Sequence, residues 1–332
     1  MTNSISSVSR RWLYIPWIIA LIIVIAYYAV WRFAAGEIKN TVLQWASDQR
    51  AAGVTVEHGA VTASGFPFLL QVEIERPFID NAGEWRWRAD ALQLHALPYE
   101  LNRIIIAPKG EQTAAYAGIG EWLIADTDIR ASLASDKTHG WKAAVTINDM
   151  SARRPNDDAI INMESLVVDL IPDAAEQSTV DLNMAIAGFA FASLDAEAAL
   201  EQFQTIGTMT KTQHLQGDNA VDDWRRAGGT IYIEHLAAIL DDNASINAKG
   251  RLFLDTDHFV AGDISANITN PSEVTRALVR INALPRAEAE AAATGLSFMA
   301  AATGGKITVP LKLKNGKTTL AGIPIGDAPK ID

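Results

Sequence analysis

The chain has 332 residues, 49% of them hydrophobic, no cysteine, and a formal net charge of −11. Without cysteine there can be no disulfide, thiolate metal site or cysteine nucleophile. Residues 1–36 hold three Arg and no acid, so the rest carries 25 basic against 39 acidic side chains, a balance that disfavours nucleic acid as a partner.

The first element is the uncharged 20-residue run Trp12–Trp31, which follows directly on Arg10 and Arg11. As a helix rising about 1.5 Å per residue it spans roughly 30 Å, the thickness of a bilayer's hydrocarbon core. Trp12 and Trp17 at one end, and Tyr27, Tyr28 and Trp31 at the other, match the aromatic belts of the two interfaces. Arg10 and Arg11 favour a cytoplasmic N-terminus; Arg32, Glu37 and Lys39 on the far side are mixed in sign. The expected organisation is a cytoplasmic tail (1–11), a transmembrane anchor (12–33) and a periplasmic body (34–332): a single-pass inner-membrane protein. A cleaved signal peptide competes, but it has an apolar region of ~7–15 residues and small residues at the cleavage site. Trp31, Arg32 and Phe33 stand there instead.

A separate helix is expected from Gly36 to Arg50, with Ile38, Val42, Leu43 and Trp45 on one face. From Val54 the period becomes two. Leu70, Val72 and Ile74 alternate with Gln71, Glu73 and Glu75, the mark of a half-buried strand. Trp85 and Trp87 alternate with Arg86 and Arg88, whereas Leu92 and Leu94 fall on the other parity, which predicts a bulge or turn near Ala89–Ala91. Ile129, Ala131 and Leu133, then Ala143, Val145 and Ile147, continue the alternation. Further strands are expected over 159–170, 178–190, 230–236, 244–254, 259–268 and 307–313, the last closing at an Asn315–Gly316 turn. Helices are predicted over 195–206, 271–281 and 285–302. The one candidate domain boundary is the stretch 195–226. The fold class is mainly β (α+β): an N-terminal transmembrane helix, then an extended, curved antiparallel meander with a few helices.

Such strands fit either a closed sandwich or a sheet whose apolar face is left uncovered. On a membrane-tethered protein an uncovered apolar face is a lipid-binding surface. Residues placed on it are Phe66, Phe68, Val72, Ile74, Trp85, Trp87, Val145 and Ile147. For Phe66 and Phe68, in Gly65–Phe68, there are two alternatives: a tight hairpin turn with rings folded onto the core, or rings dipping into lipid. Trp85 and Trp87 on one strand face read first as core anchors, with the lining of an acyl-chain groove as the alternative.

Gly65-Phe66-Pro67-Phe68, Trp85-Arg86-Trp87-Arg88-Ala89-Asp90, Leu94-His95-Ala96-Leu97-Pro98-Tyr99 and Ile323-Pro324-Ile325-Gly326 resemble segments of a family of uncharacterised, membrane-anchored envelope proteins of Gram-negative bacteria. A looser resemblance, carried by Gly228–Ile233, Ala248–Asp255 and Gly262–Ile264, is to AsmA-like proteins. It implies a role in envelope lipid transport or homeostasis.

No catalytic constellation survives inspection. The six His are not spaced as metal ligands. Asp255, Asp257 and Asp263 lack the glycine and closing glutamate of a calcium loop, since Val260 stands where the glycine would be, so Asp255–Asp257 reads as a hairpin turn. Gly304–Thr308 departs from a P-loop at Ala300 and Ile307. The expected protein is no enzyme and takes no cofactor or metal. It binds or transfers lipid or supports envelope lipid homeostasis, with membrane lipid as partner. The alternative is a structural module that presents a β edge to another envelope protein.

Overall fold

The computed structural model describes residues 14–331 apart from 98–99, 126, 137–139, 174–175, 177, 195, 216, 218, 241–243, 281–285, 302 and 304. Arg10, Arg11 and Trp12 therefore lie outside the described residues.

Helix α1 runs unbroken over Ile15–Ala51, 37 residues, where the sequence suggested an anchor and a separate helix. Pro16 sits in the first turn, where its missing N–H costs nothing, and a lone Gly36 costs only about 1 kcal/mol in a helix. The helix has two environments. Up to Val30 its side chains are exposed apart from half-buried Tyr27, with Trp17 at 75% and Ile23 at 61%, and this is the only described helix long and apolar enough to cross a membrane. From Trp31 onward one stripe is covered: Trp31, Ala34, Ala35 and Ala46 are buried. Residues spaced i, i+3/i+4, i+7 share a helix face, so Trp31, Ala34/Ala35, Ile38 and Val42 form a single seam.

The rest is one 18-stranded antiparallel sheet. Short strands β1 (Thr55–Glu57), β2 (Val61–Ser64), β3 (Leu70–Glu75) and β4 (Phe78–Asn81) lead into β5 (Trp85–Leu97) and β6 (Glu100–Tyr116). β7 (Gly120–Ala125), β8 (Asp128–Asp136) and β9 (Gly140–Arg154) follow, then β10 (Ala159–Pro172), β11 (Thr179–Ala192) and β12 (Glu197–Thr210). Helix α2 (Ala220–Arg226) precedes β13 (Ile231–Ile239), β14 (Ser245–Leu254) and β15 (Val260–Thr269). Helices α3 (Pro271–Arg280) and α4 (Arg286–Ala301) precede β16 (Lys306–Lys314), β17 (Lys317–Leu320) and β18 (Ile323–Asp327).

The predicted helix over 195–206 is instead strand β12, paired along most of its length to β11 and β13. Its Ala, Glu and Leu residues are good helix formers, but β11 pairs with it from Glu197 and β13 from Gln202, and this tertiary pairing overrides propensity. The ladder therefore continues through 197–210, with a register shift against β13 between Ile206 and Gly207. The predicted α3 and α4 form as expected, as does the Asn315–Gly316 turn, where both residues take positive φ (52° and 70°).

The anticipated irregularity near Ala89–Ala91 is present as a register shift between β5 and β6. There Gly110 has φ +74°, and a Cβ on it would come within 2.2 Å of the Asp90 carboxylate. A matching point lies on β11: a Cβ on Gly188, φ +61°, would meet Glu164 at 2.3 Å. Glycine is the residue that leaves room at both.

Two hydrophobic clusters hold the ends of the sheet. One is the α1 seam on Val61, Leu70, Val72 and Ile74. The other sets Val274 of α3 and Leu296 and Ala300 of α4 on Ala266, Ile268, Ile307 and Val309.

Candidate functional site

Residues directly opposite in an antiparallel pair share a face. The registers therefore trace one row across the sheet. It passes from Val72 through Leu94, Ile106, Ala131, Val145, Val168, Met184, Thr205, Leu236, Ala248 and Ala266 to Val309. Only Thr205 carries a polar group. A flanking row, Ile129, Ile147, Leu166, Ile186 and Phe203, is also wholly apolar. The corresponding row on the other face reads His95, Ile105, Ser132, Ala144, Asp169, Asn183, Ile206 and His235. The two faces thus differ in chemistry along the same strands.

Burial differs along the apolar row as well. Its ends lie under helices: Val72 is fully buried against α1, and Val309 is fully buried in the α3/α4 cluster. Ile106, Ala131, Val145, Val168 and Met184, in the middle, are only half-buried, and nearby Leu133 is 54% exposed. The main helix contacts fall on β1–β3 (α1), β12 (α3) and β16 (α4), leaving β6 and β8–β11 between them. At about 4.8 Å per strand these five strands present an apolar face roughly 20 Å wide. An apolar patch of this extent with no main helix contact among the described residues is unusual for a soluble surface.

Next to it, α2 covers the end of the apolar face on β12–β15. Trp224 is buried there, donating from Nε1 to the Thr210 carbonyl at 2.7 Å. A cavity of about 330 Å³ lies beside it, lined only by apolar side chains, among them Met209, Val221, Trp224, Ile231, Leu252 and Val260. Asp222 pairs with Arg225 and Arg226 within α2 and with the His258 ring, which ties the helix to the turn between β14 and β15. The Arg225 hydrogen bond, then that from His258, holds the Asp222 carboxyl below its usual range.

The residues singled out in the sequence separate into four places. Val145 and Ile147 lie on the uncovered face. Val72 and Ile74 do not line an open surface: the α1 seam covers them. Trp85 and Trp87 lie on β5 beyond the register shift, with Trp87 Nε1 donating to Gln112 at 3.3 Å. Phe66 is inserted against α1, its ring 5.9, 5.2 and 5.8 Å from those of Tyr27, Tyr28 and Trp31. Phe68 points away and is 80% exposed. The aromatics at the exit end of the anchor therefore form a socket for the Gly65–Phe68 turn, with Trp31 itself buried. Leu166, Val168, Met184 and Ile186 were not singled out, although their spacing by two against Ser165, Val167, Asn183 and Ala185 was the available signal.

A second, polar cleft of about 540 Å³ lies around the β5–β6 irregularity. Arg76, Arg88 and Arg153 line it together with Asp90 and Glu111, over buried Gln112 and Thr113. Among the described residues there is no group of three or more His, Asp or Glu arranged to hold a metal ion.

No curated protein and no solved structure matches this chain. A family model does, over residues 31–329, from the first buried residue of α1 almost to the C-terminal end of the sequence. The chain belongs to DUF2125, a family of uncharacterised proteins conserved in bacteria.

Proposed function

We propose that this protein is held in the inner membrane by the first half of α1, with the sheet in the periplasm, and that its uncovered apolar face binds lipid acyl chains. The observation that carries this reading is the row from Ile106 to Met184: apolar on every strand, half-buried, and flanked by helices that cover both of its ends. Burying apolar area is worth about 25 cal/mol per Å², so an acyl chain laid along it gains affinity without specific polar contacts. The protein performs no chemistry in this account; it holds lipid or passes it on in support of envelope homeostasis. The resemblance to AsmA-like proteins points the same way.

The test is native mass spectrometry of the full chain released from a lipid-free detergent, compared with Leu166→Asn and Met184→Asn variants. Phospholipid retained at fixed stoichiometry by the wild type and lost from the folded variants supports the reading. A lipid-free wild type that also takes up none from added vesicles refutes it, and the face is then an interface for another envelope protein.

A further inference from the structure

The Gly65–Leu69 turn is fastened to α1 at one level. The Tyr27 hydroxyl donates to the Pro67 carbonyl, and Trp31 Nε1 donates to the Leu69 carbonyl at 3.0 Å. Phe66 is held edge-on by Tyr28 and Trp31, with interplanar angles of 87° and 82°. The turn closes on itself through Leu69 N–H to the Gly65 carbonyl at 2.9 Å, and a Cβ on Gly65 would meet the Leu69 carbonyl oxygen at 2.6 Å. The turn therefore has one geometry and one position on the helix.

That position is the exit end of the membrane-crossing segment. The uncharged run of the sequence ends at Trp31, and α1 is helical from Ile15 through that point, which puts this level of the helix at the far interface of a bilayer it crosses. Exposed Tyr28 (48%), Val30 (60%) and Phe33 (75%) surround the same level of α1. The turn, Gly-Phe-Pro-Phe-Leu, contains no charge, and its second ring is neither packed nor paired. On a docked turn, a ring that is 80% exposed at that depth faces headgroups and upper acyl chains, where aromatic side chains are favoured.

We propose that the Gly65–Leu69 turn is a second membrane contact, with Phe68 inserted into the interfacial layer of the bilayer that α1 crosses. The anchor then does more than tether. Two contacts on one rigid unit fix the rotation of α1 and hold the β3 edge of the sheet on the lipid surface, with β3 leading away from it. The inference rests on α1 crossing the bilayer and not on lipid binding by the apolar face.

Because the chain has no cysteine, one introduced cysteine carries a probe at a single site. Phe68→Cys and, as a control in the exposed β6–β7 turn, Ala117→Cys would be nitroxide-labelled in the full chain. Both would be reconstituted in nanodiscs of phosphatidylethanolamine and phosphatidylglycerol. Collision with oxygen is then compared with collision with an aqueous nickel chelate. The expected result is an oxygen-to-nickel ratio several-fold higher at 68 than at 117. Equal ratios, with position 68 freely reached by nickel, overturn the proposal. Neither outcome depends on whether lipid is retained on the sheet.

Discussion

Trp31→Ala tests whether α1 and the sheet are one unit. Trp31 is 4% exposed, lies in the cluster with Leu70 and Val72, and donates to the Leu69 carbonyl. Replacing a buried Trp by Ala costs ~3–5 kcal/mol through lost burial and the cavity left behind. Trp31→Phe keeps most of the apolar contact but loses the hydrogen bond, a loss of about 0.5–1.5 kcal/mol. The two clusters share no residue, so the effect is local. Hydrogen exchange of the full chain in nanodiscs reads it strand by strand. In Trp31→Ala, protection of the β3 amides should fall by roughly two to three and a half powers of ten, at about 1.4 kcal/mol each. Trp31→Phe should lose about one power of ten or less, and β15 and β16 should be unchanged in both variants. Undiminished β3 protection in Trp31→Ala would refute the packing argument. An equal loss at β16 would show one cooperative unit where the clusters indicate two.

Three further outcomes follow from particular residues. A chain starting at residue 37 lacks Trp31, Ala34 and Ala35, so it should aggregate on size-exclusion, whereas one starting at residue 27 should stay monodisperse in detergent. Gly188→Ala places a Cβ against Glu164 at a left-handed φ of +61°, a backbone cost of ~1–2 kcal/mol before the clash, and should lower the midpoint of thermal unfolding more than Gly53→Ala, whose Cβ meets nothing. Burial, then Lys109 and Arg130, lowers the pKa of His95 in the fold. A group with a depressed folded pKa contributes stability above its unfolded value, about 6.5, and loses it as pH falls from there. The wild type should therefore lose stability between pH 7 and 5 more steeply than His95→Gln, as read by thermal unfolding at each pH; parallel slopes would contradict this.

Much of the sheet was legible because its alternation is strict where one face is buried. Leu70–Ile74 and Ile307–Leu313 are read directly, and both prove to be the floors of the two clusters. The parity change between Trp87 and Leu92 likewise announced the β5–β6 irregularity. Two features were hidden for physical reasons. In 195–206, helix-forming residues sit in a strand because pairing to β11, joined by β13 from Gln202 on, decides, and pairing partners are not visible in local sequence. The covering of Val72 and Ile74 is a long-range contact with a helix whose inner stripe starts at Trp31, read as the end of a membrane span, and continues through Ala34 and Ala35 beyond it. The apolar side of the middle strands was legible through Val145 and Ile147, but not its extent. Its limits are set by where helices land, and periodicity carries no record of that.

The most direct test of the central claim uses the two faces of the same strands. A photocrosslinking amino acid would be placed in the full chain in cells, in turn at Ile147, Leu166 and Ile186 and at Thr146, Val167 and Ala185, which the registers put on opposite faces. The account predicts phospholipid adducts at the first three and none at the second. Adducts without that alternation, or protein adducts alone at Ile147, Leu166 and Ile186, would contradict it.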